Sequence, residues 1–457
     1  LVNILLSILS GILLSGAFEP VGQWWLAPIA LAAHMYALTL TKRKVLSTLL
    51  FALTLNAIVL HWSSTFVGSV PWLILAVGMS LFYLPLALIS RWGIAAYPFI
   101  YMAMEEVRNR FPFGGFGWVR LAYTQADAPF AKMAAVGGAA ALSATVVLLG
   151  LFIHSMSQKK ASLLVLLPFL LLLIPVNTTA VGESRVLMVQ GNVPQLGLDF
   201  NSQAKAVFNN HLSLTRKSLV EDSNVDFVLW PENSVDVDPF RYADVKEALD
   251  SIQVPLIIGA VAYKGEKLLN TSILWGGELP PIYIKQHLTP FGEYIPLRSL
   301  ASKISPLTDR VRDFEPGQAS IFFTINKAVI APVICFELLD DGILRQAAKG
   351  SNILAVQTNS ATFGMSAESA QQLSITRIRA IEHGRNIVSV STTGYSAVID
   401  HHGKVLQKTS MNTAEVIRAQ VGLIQGQTPR DKAGVWALVG VLIFLFLVSA
   451  QAYRQRR

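Results

Sequence analysis

Apolar positions run almost unbroken through segments at about 1–17, 24–40, 45–66, 70–90, 92–107, 131–154 and 161–180, and again at 433–453. Spanning the hydrocarbon core of a bilayer takes about 20 such residues. Each span must be helical, because no water is there to satisfy loose backbone groups. The pattern predicts about eight membrane helices. The run Leu1–Gly16 is followed by no small-residue cleavage site and at once by further apolar runs, so a retained first span is expected. Between the last two runs the pattern changes. Short β-branched runs at Arg185–Gln190, Phe227–Trp230, Leu256–Ala260, Thr271–Trp275, Ile282–Lys285, Ala328–Cys335, Ile353–Val356, Ile387–Ser391 and Ser396–Asp400 predict strands. Helical patterns at Gln203–Glu221, Ala243–Ser251, Asp341–Lys349 and Glu368–His383 alternate with them. Such alternation predicts an α/β or layered α+β domain. The expected organisation is seven membrane helices in 1–182, a globular domain in 183–430, and an eighth helix with a tail in 431–457.

Charge adds an orientation. Only 14% of the 457 residues are charged, against about a quarter in ordinary soluble domains, and the net charge is +8. The excess gathers beside apolar runs: Lys42, Arg43 and Lys44; Arg91; Lys159 and Lys160; Arg454, Arg456 and Arg457. With the N-terminus in the cytoplasm, all four clusters fall inside, as the positive-inside rule asks. The globular domain then lies outside the cytoplasm and both termini inside. The loop 108–130, RNRFPFGGFGWVRLAYTQADAPF, runs against the rule with Arg108, Arg110 and Arg120, as does Lys132 just beyond it. Its aromatics and glycines suggest an interfacial or re-entrant segment, or simply an aromatic belt. No basic patch is interleaved with aromatics, so nucleic acid is not an expected partner.

The chain has one cysteine, which excludes an internal disulfide and a cysteine-based metal site. Cys335 is either a small buried hydrophobe or a nucleophile. Three predicted strands end on ionisable residues. In DFVLWPE, Pro231 stops the strand and sets Glu232 just past it. On that motif alone, a solvated turn carboxylate is the simpler account. In IYIKQHLTPFGEYIP, a strand ends at Lys285 before a loop shaped by Pro290, Gly292 and Pro296 that carries Glu293. A lysine there ordinarily snorkels to solvent. In AVIAPVICFE, a strand ends at Cys335, followed by Phe336 and Glu337 and then a helix. That elbow exposes a side chain and aims backbone N–H groups, including that of Phe336, at whatever a thiolate attacks. A free thiol ionises near pH 8.5 and needs a base and a nearby cation; Glu232 and Lys285 are the candidates. His287 and His383 have no second ligand at zinc-like spacing, so no metal is expected.

Taken in order, WPE, KxHxxPFGEY and CFE resemble the carbon–nitrogen hydrolase (nitrilase) superfamily. With the flanking apolar runs and HLTPFGEYIP, the whole chain resembles the apolipoprotein N-acyltransferase family. GNVPQ at 191–195 and RIRAIEHGRNIVSVSTTGYSAVIDHHGKV at 377–405 resemble further signatures of it. The resemblance implies an α-β-β-α sandwich on an eight-helix membrane domain, in the bacterial cytoplasmic membrane. It implies Glu232 as general base, Lys285 as oxyanion-stabilising cation, Cys335 as nucleophile, and Glu293, Phe336 and Glu337 in support. It further implies a ping-pong reaction without a cofactor. An acyl chain would pass from a phospholipid, usually phosphatidylethanolamine, to a Cys335 thioester, and then to the α-amine of a diacylglyceryl-cysteine apolipoprotein. Phe336 in place of a common Tyr, the segment Asn359–Gly364 without the usual Asp and Trp, and LGLDF after Gln195 resemble the actinobacterial branch. Two other classes remain: a membrane-tethered amidase or nitrilase with the same triad, and a non-catalytic membrane scaffold. About eight spans exceed what a tethered hydrolase needs, and an intact Glu–Lys–Cys set speaks against a scaffold.

Overall fold

The structure is a computed structural model, and it describes residues 2–158, 163–198, 204–277, 279–304, 308–309 and 311–454. The predicted basic flanks Lys159, Lys160, Arg456 and Arg457 lie outside the described residues, as does the start of the predicted helix at Gln203. The chain forms two compact units: Leu1–Asn177 with Thr428–Arg457, and Thr178–Gln427.

The first unit is helical. Its main helices are Val2–Ser15, Leu26–Leu40, Lys44–Val59, Ser69–Leu81, Tyr97–Arg108, Ala134–Ser157 and Val435–Arg454. Two helical stretches, Ser69–Leu88 and Ala131–Ser157, are long and apolar enough to cross a bilayer. Val2–Ser15, Leu26–Leu40, Lys44–Val59 and Val435–Gln451 are apolar but shorter. At 1.5 Å per residue, a helix of about 15 residues covers only ~22 Å of a ~30 Å hydrocarbon core. Length alone therefore does not establish eight spans among the described residues. The predicted run 161–180 also departs from a simple span. It forms a 3-10 helix, Leu163–Leu173, with Pro168 inside it, and the chain is already extended at Thr179. Proline removes a helical donor and clashes with the preceding turn.

Among the described residues the second unit has twelve strands: β1 Thr179–Gln190, β2 Phe227–Leu229, β3 Leu256–Lys264, β4 Lys267–Trp275, β5 Ile282–Ile284, β6 Phe323–Ile325, β7 Ala328–Ile334, β8 Ile353–Thr358, β9 Ile387–Ser391, β10 Ala397–Ile399, β11 Val405–Lys408 and β12 Glu415–Gln425. They form two six-stranded sheets, ordered β12-β1-β2-β3-β4-β5 and β11-β10-β9-β8-β7-β6. β1, β2 and β3 run parallel, as do β7, β8 and β9, and the remaining strands extend each sheet antiparallel.

Alternation of side chains explains the layering. Val186 and Met188 of β1 face inward and join Phe227, Leu229, Ile257, Ile330, Ile334, Ala355 and Val388 in one core between the sheets. Leu187 and Val189 face the other way. With Val228, Trp230 and Ile258 they pack under Phe208 and Leu212 of the helix Ala206–Glu221 and under Val245 and Leu249 of the helix Ala243–Asp250. The helices Asp341–Gly350 and Glu368–His383 pack on the second sheet. The result is the four-layer α-β-β-α order that the resemblance implies.

Candidate active site

Glu232, Lys285 and Cys335 each follow a strand end: β2, β5 and β7. β2 and β3 are parallel, and β5 regains that direction through the antiparallel β4, so Glu232 and Lys285 leave the same edge of the first sheet.

The Glu232 turn is clamped from several sides. Trp230 donates its indole N–H to Thr215 Oγ1 at 2.8 Å, and Gln357 Nε2 of β8 donates to the Trp230 carbonyl at 2.7 Å. Gly259 lies directly beneath the turn. A Cβ there would sit 2.3 Å from the Pro231 carbonyl oxygen and 2.7 Å from Glu232 Cα, so only glycine lets the two segments meet. Glu232 is buried, not the solvated turn carboxylate that its motif alone suggests.

Lys285 is 1% exposed, so it does not snorkel. Its Nζ lies 3.2 Å from Glu232 Oε1, 2.9 Å from Glu293 Oε2 and 3.3 Å from Thr289 Oγ1. Burial works against the ammonium, but the charges of Glu232, Glu293 and Cys335 outweigh it and hold Lys285 above the ordinary lysine range. Asn270, inside β4, bridges the carboxylates, its Nδ2 donating to Glu232 Oε1 at 2.8 Å and Glu293 Oε1 at 2.5 Å.

The two carboxylates are unlike. Burial pushes Glu232 up, and Glu293 reinforces the shift against the pull of Lys285. Burial also acts on Glu293, but Lys285, the Thr289 N–H at 2.7 Å and Asn270 outweigh it and hold Glu293 below the usual range. Environments that push two carboxylates apart mark one to exchange protons and one to stay ionised.

Cys335 opens the short 3-10 turn Cys335–Leu339 with φ +47°. A non-glycine residue there is uncommon and is held by its surroundings. Burial and the nearby Glu232 carboxylate raise its thiol well above the ordinary value, against the pull of Lys285. At rest, Cys335 is a thiol with the Glu232 carboxyl nearby. Gln372 Nε2, from the helix Glu368–His383, lies 3.8 Å from Sγ.

Among the described residues Glu337 makes no hydrogen bond or ion pair with Glu232, Lys285 or Glu293, although the Lys285 charge acts on it. Its Oε1 accepts from Tyr283 OH at 2.7 Å and Gln286 N at 2.6 Å, and its Oε2 accepts from Ile334 N at 2.7 Å. It ties the segment after Lys285 to the strand carrying Cys335. Phe336 is buried, with the His287 ring 5.2 Å away, edge to face. His287 Nδ1 lies 3.2 Å from Asp340 Oδ2, and His383 is buried in the helix Glu368–His383.

Asn270, Thr289, Gln372 and Glu368 are the neighbours that the sequence reading did not single out. The signal for Asn270 was present: the polar run Asn270-Thr271-Ser272 inside the otherwise apolar strand KLLNTSILW. Glu368 looks in sequence like any acidic residue in a first helical turn.

The arrangement is one thiol and one ammonium shared between two buried carboxyl groups of unlike environment. It suits attack on an acyl carbon followed by discharge of the acyl group. Comparison with known proteins gives two family matches, the apolipoprotein N-acyltransferase N-terminal domain over residues 10–152 and carbon-nitrogen hydrolase over residues 185–428. The chain is 32% identical to an apolipoprotein N-acyltransferase of Mycolicibacterium smegmatis, covering 96% of this chain and 84% of the relative. It is 27% identical to one of Haemophilus influenzae, covering 99% of this chain and 95% of that one.

Proposed function

The chain belongs to the apolipoprotein N-acyltransferase family, and on that premise we propose a two-step transfer through Cys335. The observation that carries the reading is the lone thiol set beside a buried carboxylate that shares one lysine with a second carboxylate. Glu232 takes the thiol proton as Sγ attacks the ester carbonyl of a phospholipid acyl chain. It returns that proton to the departing alkoxide, which leaves a thioester on Cys335. The α-amine of a diacylglyceryl-cysteine apolipoprotein then attacks. Glu232 takes a proton from the attacking nitrogen and gives it back to sulfur. Lys285 and the Phe336 N–H stabilise the oxyanion of both tetrahedral intermediates. Glu293 stays ionised and holds the Lys285 ammonium in place, and Glu337 fixes the elbow.

The enzyme is a membrane protein. The finer topology belongs to the proposal: about eight spans, both termini cytoplasmic, and the sandwich on the far side. Reporter fusions after Lys44 and after Gly182 should mark opposite faces; the same face for both would refute it.

The testing experiment is intact-protein mass spectrometry after incubation with phospholipid. One acyl chain should add to wild type. Cys335→Ser, which keeps the shape with a poorer nucleophile, should gain none and transfer none while still inserting in the membrane. Normal transfer by Cys335→Ser would overturn the assignment.

A further inference from the structure

A third carboxylate sits beside the Cys335 group and has no part in the mechanism above. Glu368 opens the helix Glu368–His383 and is 2% exposed. The Ser360 hydroxyl hydrogen-bonds its carboxylate, yet its Oε2 is buried without a hydrogen-bond partner. Residues four apart share a helix face, and Gln372, four on from Glu368, is the residue that reaches Cys335 Sγ. Glu368 is also close enough for its charge to act on both Cys335 and Glu232. A buried acceptor without a donor is costly, so a ligand that brings an N–H to this oxygen would be favoured. A primary ammonium is the matching chemistry.

We propose that Glu368 is the docking carboxylate for the acceptor's α-ammonium, taking its proton on Oε2 and leaving a neutral amine facing the Cys335 thioester. This rests on the acyl-transfer reading and assigns the acceptor side of the same site. The step balances. R–NH3+ and Glu368–COO− become R–NH2 and Glu368–COOH. The nitrogen lone pair forms the C–N bond as the C–S bond breaks. Glu232 carries the second nitrogen proton to sulfur, and Glu368 releases the first to water. Burial pushes the Glu368 carboxyl up to about 8, with Glu232 adding to the shift and Ser360 opposing it. A free α-amine lies at about 7.7–8.0. In the empty site at pH 7 the Glu368 carboxyl is therefore largely protonated, and it ionises as the ammonium docks, ready to take the proton back from the nitrogen.

The test uses the full-length enzyme with the Cys335 acyl adduct formed from phospholipid, followed in single turnover. Glu368→Gln should form the adduct within about twofold of the wild-type rate. Its discharge by a diacylglyceryl peptide at pH 7 should slow by about 10²-fold and recover as the peptide amine loses its proton above pH 8. Discharge by hydroxylamine, uncharged at neutral pH, should be unchanged. Glu368→Asp, which keeps the acid, should restore much of the peptide rate, and it guards against a misfolded Gln variant. Equal slowing with peptide and hydroxylamine, or a wild-type peptide rate, would overturn the proposal. So would slower adduct formation from phosphatidylethanolamine but not phosphatidylglycerol, which would assign Glu368 to the donor's head-group ammonium. An absent adduct on wild type would instead remove the acyl-transfer reading itself.

Discussion

Glu105, Glu106, Arg108 and Arg120 in the helical unit, and Glu232, Glu293 and Lys285 in the sandwich, are both buried groups of opposite charges. In the helical unit the cations are guanidiniums. Arg120 Nη2 lies 2.7 Å from Glu106 Oε1, and its Nε lies 3.5 Å from Glu105 Oε1. Arg108 donates to Tyr83 OH at 2.9 Å and to the Val119 carbonyl at 2.6 Å. The backbone N–H of Leu121 reaches Glu105 Oε2 at 3.0 Å, and Arg110 pairs with Glu106. These contacts fasten the loop after Arg108 to the helix Tyr97–Arg108. In the sandwich, a single ammonium is shared between two carboxylates, with a thiol as the next charge partner. A guanidinium keeps its proton and makes a rigid fork, whereas an ammonium is a compact point charge. Paired forks suit a brace; a set with a titrating base and a thiol suits proton transfer.

The sharpest way to break the comparison is Arg120→Met. It leaves Glu105 and Glu106 buried without that partner, and breaking a buried pair costs about 3–5 kcal/mol. Thermal stability in detergent should fall accordingly, with acyl transfer per folded molecule kept within about twofold. Intact stability with lost transfer would make the arginine cluster functional and collapse the distinction.

The arginines also show where sequence reading stopped. Arg108, Arg110 and Arg120 stood out as exceptions to the positive-inside pattern because the rule counts charges without their partners. Arg108 and Arg120 are buried in contacts with Tyr83, Glu105 and Glu106, which no local pattern announces. The strand ends were legible because proline, glycine and apolar runs are local signals. Every expected strand core appears, with shifts of a few residues at the ends. β12 was missed although Arg418 and Gln420 alternate with the inward Ile417, Ala419, Val421 and Leu423; its partner β1 lies more than 200 residues earlier. β6 and β11 were missed as short edge strands. Glu232, Lys285 and Cys335 could be named from their motifs, and Asn270 left a polar signal inside its strand, but Glu368 acquires meaning only when its helix packs beside Cys335.

Lys285→Met probes the other cluster. Losing one oxyanion donor costs about 2.7–4 kcal/mol, or roughly 10²–10³ in rate. Adduct formation and discharge should slow to similar degrees, because the oxyanion appears in both. The stability loss should be smaller than for Arg120→Met, since Glu232 and Glu293, bridged by Asn270, can share a proton once the cation is gone. Wild-type rates for both steps would return Lys285 to a purely structural role.

The smallest effect separates Glu337 from both clusters, because it is a buried carboxylate whose hydrogen bonds come from neutral groups. Burial pushes it up to about 7, while the Ile334 and Gln286 N–H groups and the Tyr283 hydroxyl pull the other way. An unfolded glutamate titrates near 4.3. Between those values the folded chain holds more protons at this residue than the unfolded chain does. Its contribution to stability is therefore full below about pH 4.3 and is lost as pH rises to about 7, with a slope of at most about 1.4 kcal/mol per pH unit. Glu337→Gln cannot titrate. It also loses an acceptor, since its amide nitrogen must face one of those donors, which costs about 1–3 kcal/mol at every pH. The measurement is the difference in thermal stability between wild type and variant from pH 4.5 to 7. Titrations shared by both proteins, including that of Glu368, cancel in that difference. The gap should be widest at the acid end and narrow as pH rises. Parallel profiles would mean that Glu337 is ionised throughout the window, held as an anion by its N–H donors.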